Sequence, residues 1–154
     1  MDAISHAAWG ATILRNRKFV GWAALTGILP DLIPALYGVV RYGKRYFTDI
    51  IDQSFAEHPG NFYIILYRFT HSLLPISLVS LVLWVVAPVW LPLVIPYYLH
   101  LAMDVFTHRG LWATRLLYPV SDWHIEGWNW WQRRWVNIGN WSALVILNLW
   151  FFLR

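Results

Sequence analysis

Three ionisable residues recur at four-residue intervals within an apolar stretch of the chain: His100, Asp104 and His108. An α-helix has 3.6 residues per turn, so this spacing places the three side chains along one helix face. Ionisable side chains are costly within apolar membrane segments and mark functional sites there. Neutral imidazole and carboxylate are ordinary ligands of zinc-like ions. The stripe therefore predicts a site for a divalent metal, most simply zinc.

The spacing also bears on the number of ions. Helical rise separates successive members of the stripe by about 6 Å, which puts His100 and His108 about 12 Å apart, too far to share one ion. Neighbours in the stripe can share one. The economical arrangement has two ions bridged by Asp104, with His100 serving one and His108 the other, as in two-metal hydrolases. A single ion is the alternative.

A fourth candidate ligand, His71, lies in the apolar segment before the stripe. If the two segments form a hairpin that turns near residue 90, His71 lies about 28 Å from the turn, Asp104 about 21 Å and His108 about 27 Å. His71 should therefore meet the Asp104–His108 end of the stripe. Taken alone, a histidine in an apolar helix is more often hydrogen-bonded to a neighbour than bound to metal.

Two residues nearer the start of the chain could complete the ligand shell. Asp31 follows Pro30, where we expect a helix break, and His6 lies on a short first helix. Both residue types are zinc ligands. Asp31 or Asp104 would also orient or deprotonate an attacking water molecule, which makes these two carboxylates candidate catalytic groups.

Arg68 lies one helical turn before His71, and Arg109 directly follows His108. Either guanidinium could clamp a phosphate through paired hydrogen bonds, and Arg68 is taken as a candidate catalytic residue. The alternative is an arginine that faces lipid headgroups beside the membrane.

Two loop histidines are expected to play no part. His58 lies in a polar loop and is expected to be exposed, and His124, with Asp122 and Glu126, is more simply explained as an interfacial surface than as a second ligand set.

The composition indicates what must position these residues. The chain is 58% hydrophobic and 13% charged, whereas soluble proteins average about 45–50% and 25%. Its 12 Trp and 8 Tyr suit the headgroup level of a bilayer. The net charge of +4 comes from short basic clusters between apolar runs, which favours anionic lipid over nucleic acid as partner. The absence of cysteine excludes thiolate zinc sites. We predict a single membrane-embedded domain over residues 1–154.

The longest uncharged segment runs from Phe69 to Met103 and has 35 residues, whereas one bilayer crossing needs about 20. Two helices are therefore expected, separated at Pro88 and Pro92, because paired prolines disfavour a continuous helix. The predicted arms of this hairpin are residues 61–87 and 93–108.

The rest of the chain supplies further helices. Residues 19–40 and 135–153 are long and apolar enough to cross a bilayer, and a short helix is expected at 3–14. Residues 41–60 form a polar loop that could contain a surface helix, and residues 109–134 form a Trp-rich loop. Their Lys and Arg content favours the cytoplasmic side for both loops, but the basic cluster at 15–18 conflicts with this orientation unless the N-terminal unit is re-entrant. The predicted fold is an all-α, polytopic bundle of four to five hydrophobic helices.

Short motifs resemble those of the LexA-binding, YdjM-like family of inner-membrane metal-dependent hydrolases. They occur in the same order, over residues 6 to about 110: His6 with Gly10, Leu29-Pro30-Asp31, Thr70-His71-Ser72, and His100 with Asp104 and Thr107. The resemblance implies a prokaryotic inner-membrane location and a more distant similarity to zinc-dependent phospholipase C. It also implies a metal and catalytic centre at the matching positions, which are His6, Asp31, His71, His100 and Asp104.

The chain departs from the family pattern in two places. Many members continue Pro-Asp-x-Asp-His, whereas this chain has Leu32, Ile33 and Pro34 after Asp31, so two potential ligands are absent. The arginine that usually precedes the Thr-His-Ser motif stands one residue later, at Arg68.

The leading hypothesis is a membrane-embedded metal-dependent hydrolase of a phosphoester bond in a lipid-like substrate, acting through metal-activated water. The alternative is a non-enzymatic membrane protein, either a metal carrier or an interaction scaffold. A metal-free phosphatidic-acid-phosphatase mechanism is disfavoured, because its motif needs Ser-Arg where this chain has Leu93 and Val94.

Overall fold

The computed structural model describes residues 2–15, 18–51 and 61–154. Within these ranges the chain forms seven α-helices and no strands, which confirms the all-α prediction. The helices are α1 (Ala3–Ile13), α2 (Val20–Tyr42), α3 (Lys44–Ile51), α4 (Asn61–Thr70), α5 (Leu73–Val86), α6 (Ile95–Thr107) and α7 (Arg134–Phe152). Short 3₁₀ helices span Pro88–Val94, Gly110–Trp112 and Trp130–Gln132. His58, predicted to be exposed, lies outside the described residues.

Three helical segments of the described chain are long and apolar enough to cross a membrane: Val20–Tyr42, Pro88–Thr107 and Arg134–Phe152. Helices α4 and α5 together make a fourth candidate if they are counted as one span, although they are bent by 46° at their junction. The structure thus has three candidate spans, or four with the bent pair, where the sequence predicted four to five hydrophobic helices.

The predicted helical arm over residues 61–87 is wrong in one respect, because the helix is interrupted at His71 and Ser72. Ser72 adopts an extended conformation, with φ −118° and ψ 160°. Pro75 then falls in the first turn of α5, where a backbone N–H is not needed for helical bonding. The break places His71 just beyond the end of α4, where the residue is fully buried.

The break expected at Pro30 is absent, because α2 continues through both Pro30 and Pro34. Pro34 has no N–H, so the carbonyl of Pro30 lacks its usual donor within the helix. The Thr70 hydroxyl of α4 donates to that carbonyl at 2.9 Å. A neighbouring helix therefore satisfies the backbone group that the proline leaves open, as membrane helices commonly do.

Helices α1 and α2 cross at very short range through two glycines. A Cβ added to Gly27 would lie 2.6 Å from the carbonyl oxygen of His6, and one added to Gly10 would overlap the carbonyl oxygen of Ala23. Small residues at such crossings let two helix backbones approach closely. The contact brings His6, which is almost fully buried, into the centre of the bundle.

Helix α7 and the loop before it are anchored by polar contacts. The Trp9 indole of α1 donates to Asn140 at 2.7 Å. In the loop, the backbone N–H of Gly127 donates to the carbonyl of His108 at 2.9 Å, and the N–H of Leu73 donates to the carbonyl of Leu116 at 2.9 Å. The Trp-rich loop therefore folds back over the start of α5 and the end of α6.

Candidate metal centre

Four ionisable side chains converge from three helices. Asp31 comes from α2, His71 from the end of α4, and His100 and Asp104 from α6. One ligand atom from each residue lies within 4.8 Å of the others, so the group could hold a metal ion. His71, His100 and Asp104 are fully buried, whereas the Asp31 side chain keeps 25% of its surface exposed.

Backbone carbonyls fix the orientation of both imidazoles. His71 Nδ1 lies 2.9 Å from the carbonyl oxygen of Tyr67, and His100 Nδ1 lies 2.7 Å from that of Gly27. A carbonyl oxygen can only accept, so each Nδ1 carries the proton and, in the neutral ring, each Nε2 presents a lone pair. Metal-binding histidines are held in this manner by a hydrogen bond on the second nitrogen.

The two Nε2 atoms face each other at 3.2 Å. His71 Nε2 lies 3.3 Å from Asp31 Oδ1, and His100 Nε2 lies 3.2 Å from Asp104 Oδ2. Two imidazole nitrogens and two carboxylate oxygens therefore converge in one largely buried place, where a cation between them would offset the mutual repulsion of their lone pairs. Nitrogen and carboxylate oxygen donors bind divalent metal ions in proteins, so these four residues could hold a metal ion.

The second oxygen of Asp104 has a separate set of contacts. Asp104 Oδ1 lies 3.0 Å from His6 Nε2 and 3.2 Å from His108 Nδ1, and it accepts from the Thr107 hydroxyl at 3.3 Å. Asp104 therefore lies between His100 on one side and His6 and His108 on the other. His6 also stacks on His100, with ring centroids 3.6 Å apart.

The predicted ligands thus fall into two groups. Asp31, His71, His100 and Asp104 form the converging set, while His6 and His108 lie on the far oxygen of Asp104 and His6 also stacks on His100. His71 Nε2 meets the stripe at His100 Nε2 (3.2 Å) and Asp104 Oδ2 (3.7 Å), about one helical turn from the predicted Asp104–His108 end. The His6 Nδ1 atom is buried without a hydrogen-bond partner in the described part of the chain.

The two arginines predicted to clamp phosphate lie in different contacts. Arg68 Nη1 lies 4.0 Å from Asp122 Oδ1, whereas Arg109, whose side chain is 56% exposed, pairs with Glu126 at 3.6 Å. Arg68 shares the Asp122 carboxylate oxygen with a second arginine, Arg115, whose Nε lies 3.3 Å from it. Burial lowers the pKa of Arg115, and the positive charge of Arg68 lowers it further.

Sequence reasoning did not select Arg115. It is an arginine in a Trp-rich loop with no spacing to any ligand, and only its burial in the folded chain sets it apart. His124 Nε2 lies 3.1 Å from Glu126 Oε1.

An apolar cavity of about 340 Å³ lies beside the centre. Leu29 and Thr70 form part of its wall, along with Ile76, Leu83 and Tyr97. The Thr70 hydroxyl also lies 3.2 Å from His71 Nδ1. Thr70 therefore lines the cavity and contacts a candidate ligand.

Comparison of the chain with protein-family models, curated proteins and solved structures gives no match.

Proposed function

We propose that the protein is a membrane-embedded, metal-dependent hydrolase that cleaves a phosphoester bond of a lipid-like substrate. The observation that carries the proposal is the convergence of two imidazole nitrogens and two carboxylate oxygens within 4.8 Å of one another, inside apolar helices. Such a buried set of ionisable groups is costly to fold and is a mark of function.

Four residues would hold the ion: Asp31, His71, His100 and Asp104. Zinc suits this sulfur-free set, and a second ion would find Asp104 Oδ1, His6 and His108 on the far side of the shared carboxylate. When bound, the metal would supply Lewis-acid activation of water and of the phosphoryl group.

The carboxylates of Asp104 and Asp31 differ in exposure, and this difference suits them to different roles. Asp104 is fully buried, and its Oδ1 lies within 3.3 Å of polar atoms of His6, Thr107 and His108, which suits a fixed, positioning role. The Asp31 side chain is 25% exposed, so it is the member of the set that water can reach. Asp31 is therefore the better candidate to orient the attacking water and take its proton.

The surroundings favour a lipid-like substrate. The cavity next to Thr70 has apolar walls and the size of an ordinary small-molecule pocket, which suits an acyl chain. Arg68, three residues before His71, supplies positive charge for the phosphate. The motif resemblance supports zinc and a location in a prokaryotic inner membrane.

Turnover of a defined lipid tests the proposal. Detergent-purified protein loaded with zinc would be assayed for headgroup or phosphate release from short-chain phospholipids, with Asp31→Asn as the test variant and His124→Ala as the control. We expect hydrolysis by the wild type and the control, and a loss of about 100-fold or more in Asp31→Asn. Metal-loaded, folded wild-type protein that cleaves neither phosphomonoester nor phosphodiester lipids would contradict the proposal and favour a metal carrier.

A further inference from the structure

Two arginine side chains share one carboxylate oxygen at the surface of the bundle. Arg68 Nη1 lies 4.0 Å and Arg115 Nε lies 3.3 Å from Asp122 Oδ1. The exposed fraction of the side chain is 22% for Arg68, 10% for Arg115 and 75% for Asp122. Two largely buried cations therefore face one well-solvated anion, and the group carries a net positive charge.

Each of these guanidinium groups has a buried N–H that donates no hydrogen bond within the described part of the chain. The Nε atoms of Arg68 and Arg115 are both buried, and neither makes a hydrogen bond to any residue that the structure describes. Arg115 donates through Nη1 to the carbonyl of Ala113 at 3.1 Å, which fixes its position. Buried polar groups without a hydrogen bond are rare in folded proteins and call for a partner.

The chain neighbours of the two arginines contact the segment around the candidate ligand His71. The Tyr67 ring, next to Arg68 in the chain, stacks on His71 with centroids 3.9 Å apart, and its hydroxyl donates to the carbonyl of Trp112 at 3.1 Å. On the other side of Arg115, the carbonyl of Leu116 accepts from the N–H of Leu73 at 2.9 Å. The loop segment that carries Arg115 is thus fastened just before and just after the His71 turn.

We propose that Arg68 and Arg115 together bind the phosphate group of a ligand, and that Asp122 is an internal carboxylate which the phosphate displaces. The identification of that ligand as a substrate rests on the proposed function. Paired guanidinium groups match phosphate oxygens through charge-assisted, forked hydrogen bonds. The mostly exposed Asp122 carboxylate is held weakly, because solvent and salt screen a surface ion pair.

Binding of phosphate can be measured without turnover. Detergent-purified full-length protein, stripped of metal with a chelator, would be titrated calorimetrically with inorganic phosphate and with a short-chain phosphatidic acid. The variants are Arg115→Gln, Arg115→Lys and Asp122→Asn. Arg109→Gln is the matched control, since it removes an exposed arginine of the same loop. Thermal unfolding of each variant would establish that it is folded.

We expect phosphate to bind the wild type and Arg109→Gln equally. Arg115→Gln should weaken binding about tenfold or more, and Arg115→Lys should weaken it less, because the charge remains while the fork is lost. Asp122→Asn should tighten binding severalfold, because the competing carboxylate is gone. Tighter binding of the lipid than of inorganic phosphate identifies a lipid headgroup as the ligand, and equal binding identifies free phosphate.

Two outcomes would overturn the inference: equal phosphate affinity in the wild type and a folded Arg115→Gln variant, or an Asp122→Asn variant that binds phosphate no more tightly. The second outcome would make Asp122 a structural counterion. Binding that depends on Arg115 in a protein without hydrolase activity would leave this site standing and refute only the proposed function.

Discussion

His71 and His100 present their Nε2 atoms to each other at 3.2 Å, and their Nδ1 atoms lie on backbone carbonyls of two helices, α4 for His71 and α2 for His100. Tyr67, at the end of α4, supplies one carbonyl, and Gly27, in the turn of α2 before Pro30, supplies the other. The lone pairs are therefore aimed at a common point by the backbone and not by flexible side chains. This arrangement makes the centre sensitive to the packing of α2.

Substitution of Gly27 should test that dependence. An alanine Cβ at Gly27 would lie 2.6 Å from the carbonyl oxygen of His6, so α1 and α2 must separate and the carbonyl that orients His100 must move. We expect Gly27→Ala to lower the free energy of unfolding by about 1–3 kcal/mol and to weaken metal binding. Both quantities can be measured in detergent, by thermal unfolding and by competition with a metal indicator.

Gly21→Ala is the matched control, because it lies on the same helix and its Cβ would meet nothing within 4 Å. It should bind metal as the wild type does and be at most about 1 kcal/mol more stable, since alanine favours helix over glycine. Equal metal affinity in the two alanine variants would contradict the proposed link between the helix crossing and the centre.

The hydroxyl of Thr70 should be needed for the integrity of α2. It donates to the carbonyl of Pro30 at 2.9 Å, and Thr70→Val would leave that buried carbonyl without a donor. We expect a loss of about 1–3 kcal/mol in the free energy of unfolding. Thr26→Val, which removes only a local bond to the carbonyl of Ala23 at 3.2 Å, should cost much less. The free energies of unfolding of the two variants would be measured side by side by denaturation. Equal losses of this free energy in both variants would refute the role given to Thr70.

The sequence was sufficient to predict part of this site. The four-residue spacing of His100 and Asp104 placed both on one face of α6, and the paired prolines placed the end of α5 near residue 87, as observed. These features depend on helical periodicity and on local backbone chemistry, which a sequence displays directly. Helical rise counted along the expected hairpin also brought His71 to the centre, whereas Asp31 was selected by an expected helix break at Pro30 and by the motif resemblance.

Other features depend on contacts between residues far apart in the chain. Pro30 was expected to break α2, but the helix continues where Thr70, forty positions later, donates to the Pro30 carbonyl. His71 meets α6 at His100 and Asp104, about one turn from the predicted Asp104–His108 end. Arg115 became noticeable only because the loop folds back over α4 and buries it. None of these relationships is visible in local spacing.

Glu126 should titrate below its ordinary range. The Gly110 amide donates to Glu126 at 2.9 Å and, with a smaller contribution from His124, lowers the pKa of this carboxyl. The contribution of this contact to the stability of the loop is fully present at pH values above the pKa of an unfolded glutamate, about 4.3. That contribution is lost as the pH falls through the lowered pKa of Glu126.

The chain has two glutamates, Glu57 and Glu126, so ¹³C labelling of glutamate side chains gives two carboxyl signals that Glu57→Gln can assign. We expect the Glu126 signal to titrate below about 4.3. In His124→Ala its midpoint should rise only partway, because the Gly110 amide is the larger cause. A Glu126 midpoint at or above the ordinary value would show that the Gly110 contact does not form in solution.

Metal content is the most direct test of the central claim. Wild-type protein, His100→Ala, Asp104→Ala and the control His124→Ala would be purified in detergent, shown to be helical by circular dichroism, supplemented with zinc, dialysed and measured by elemental analysis. The account predicts one or two equivalents of metal in the wild type and in His124→Ala, and a loss in both variants of the centre. A folded wild-type protein that retains no metal after supplementation would contradict it.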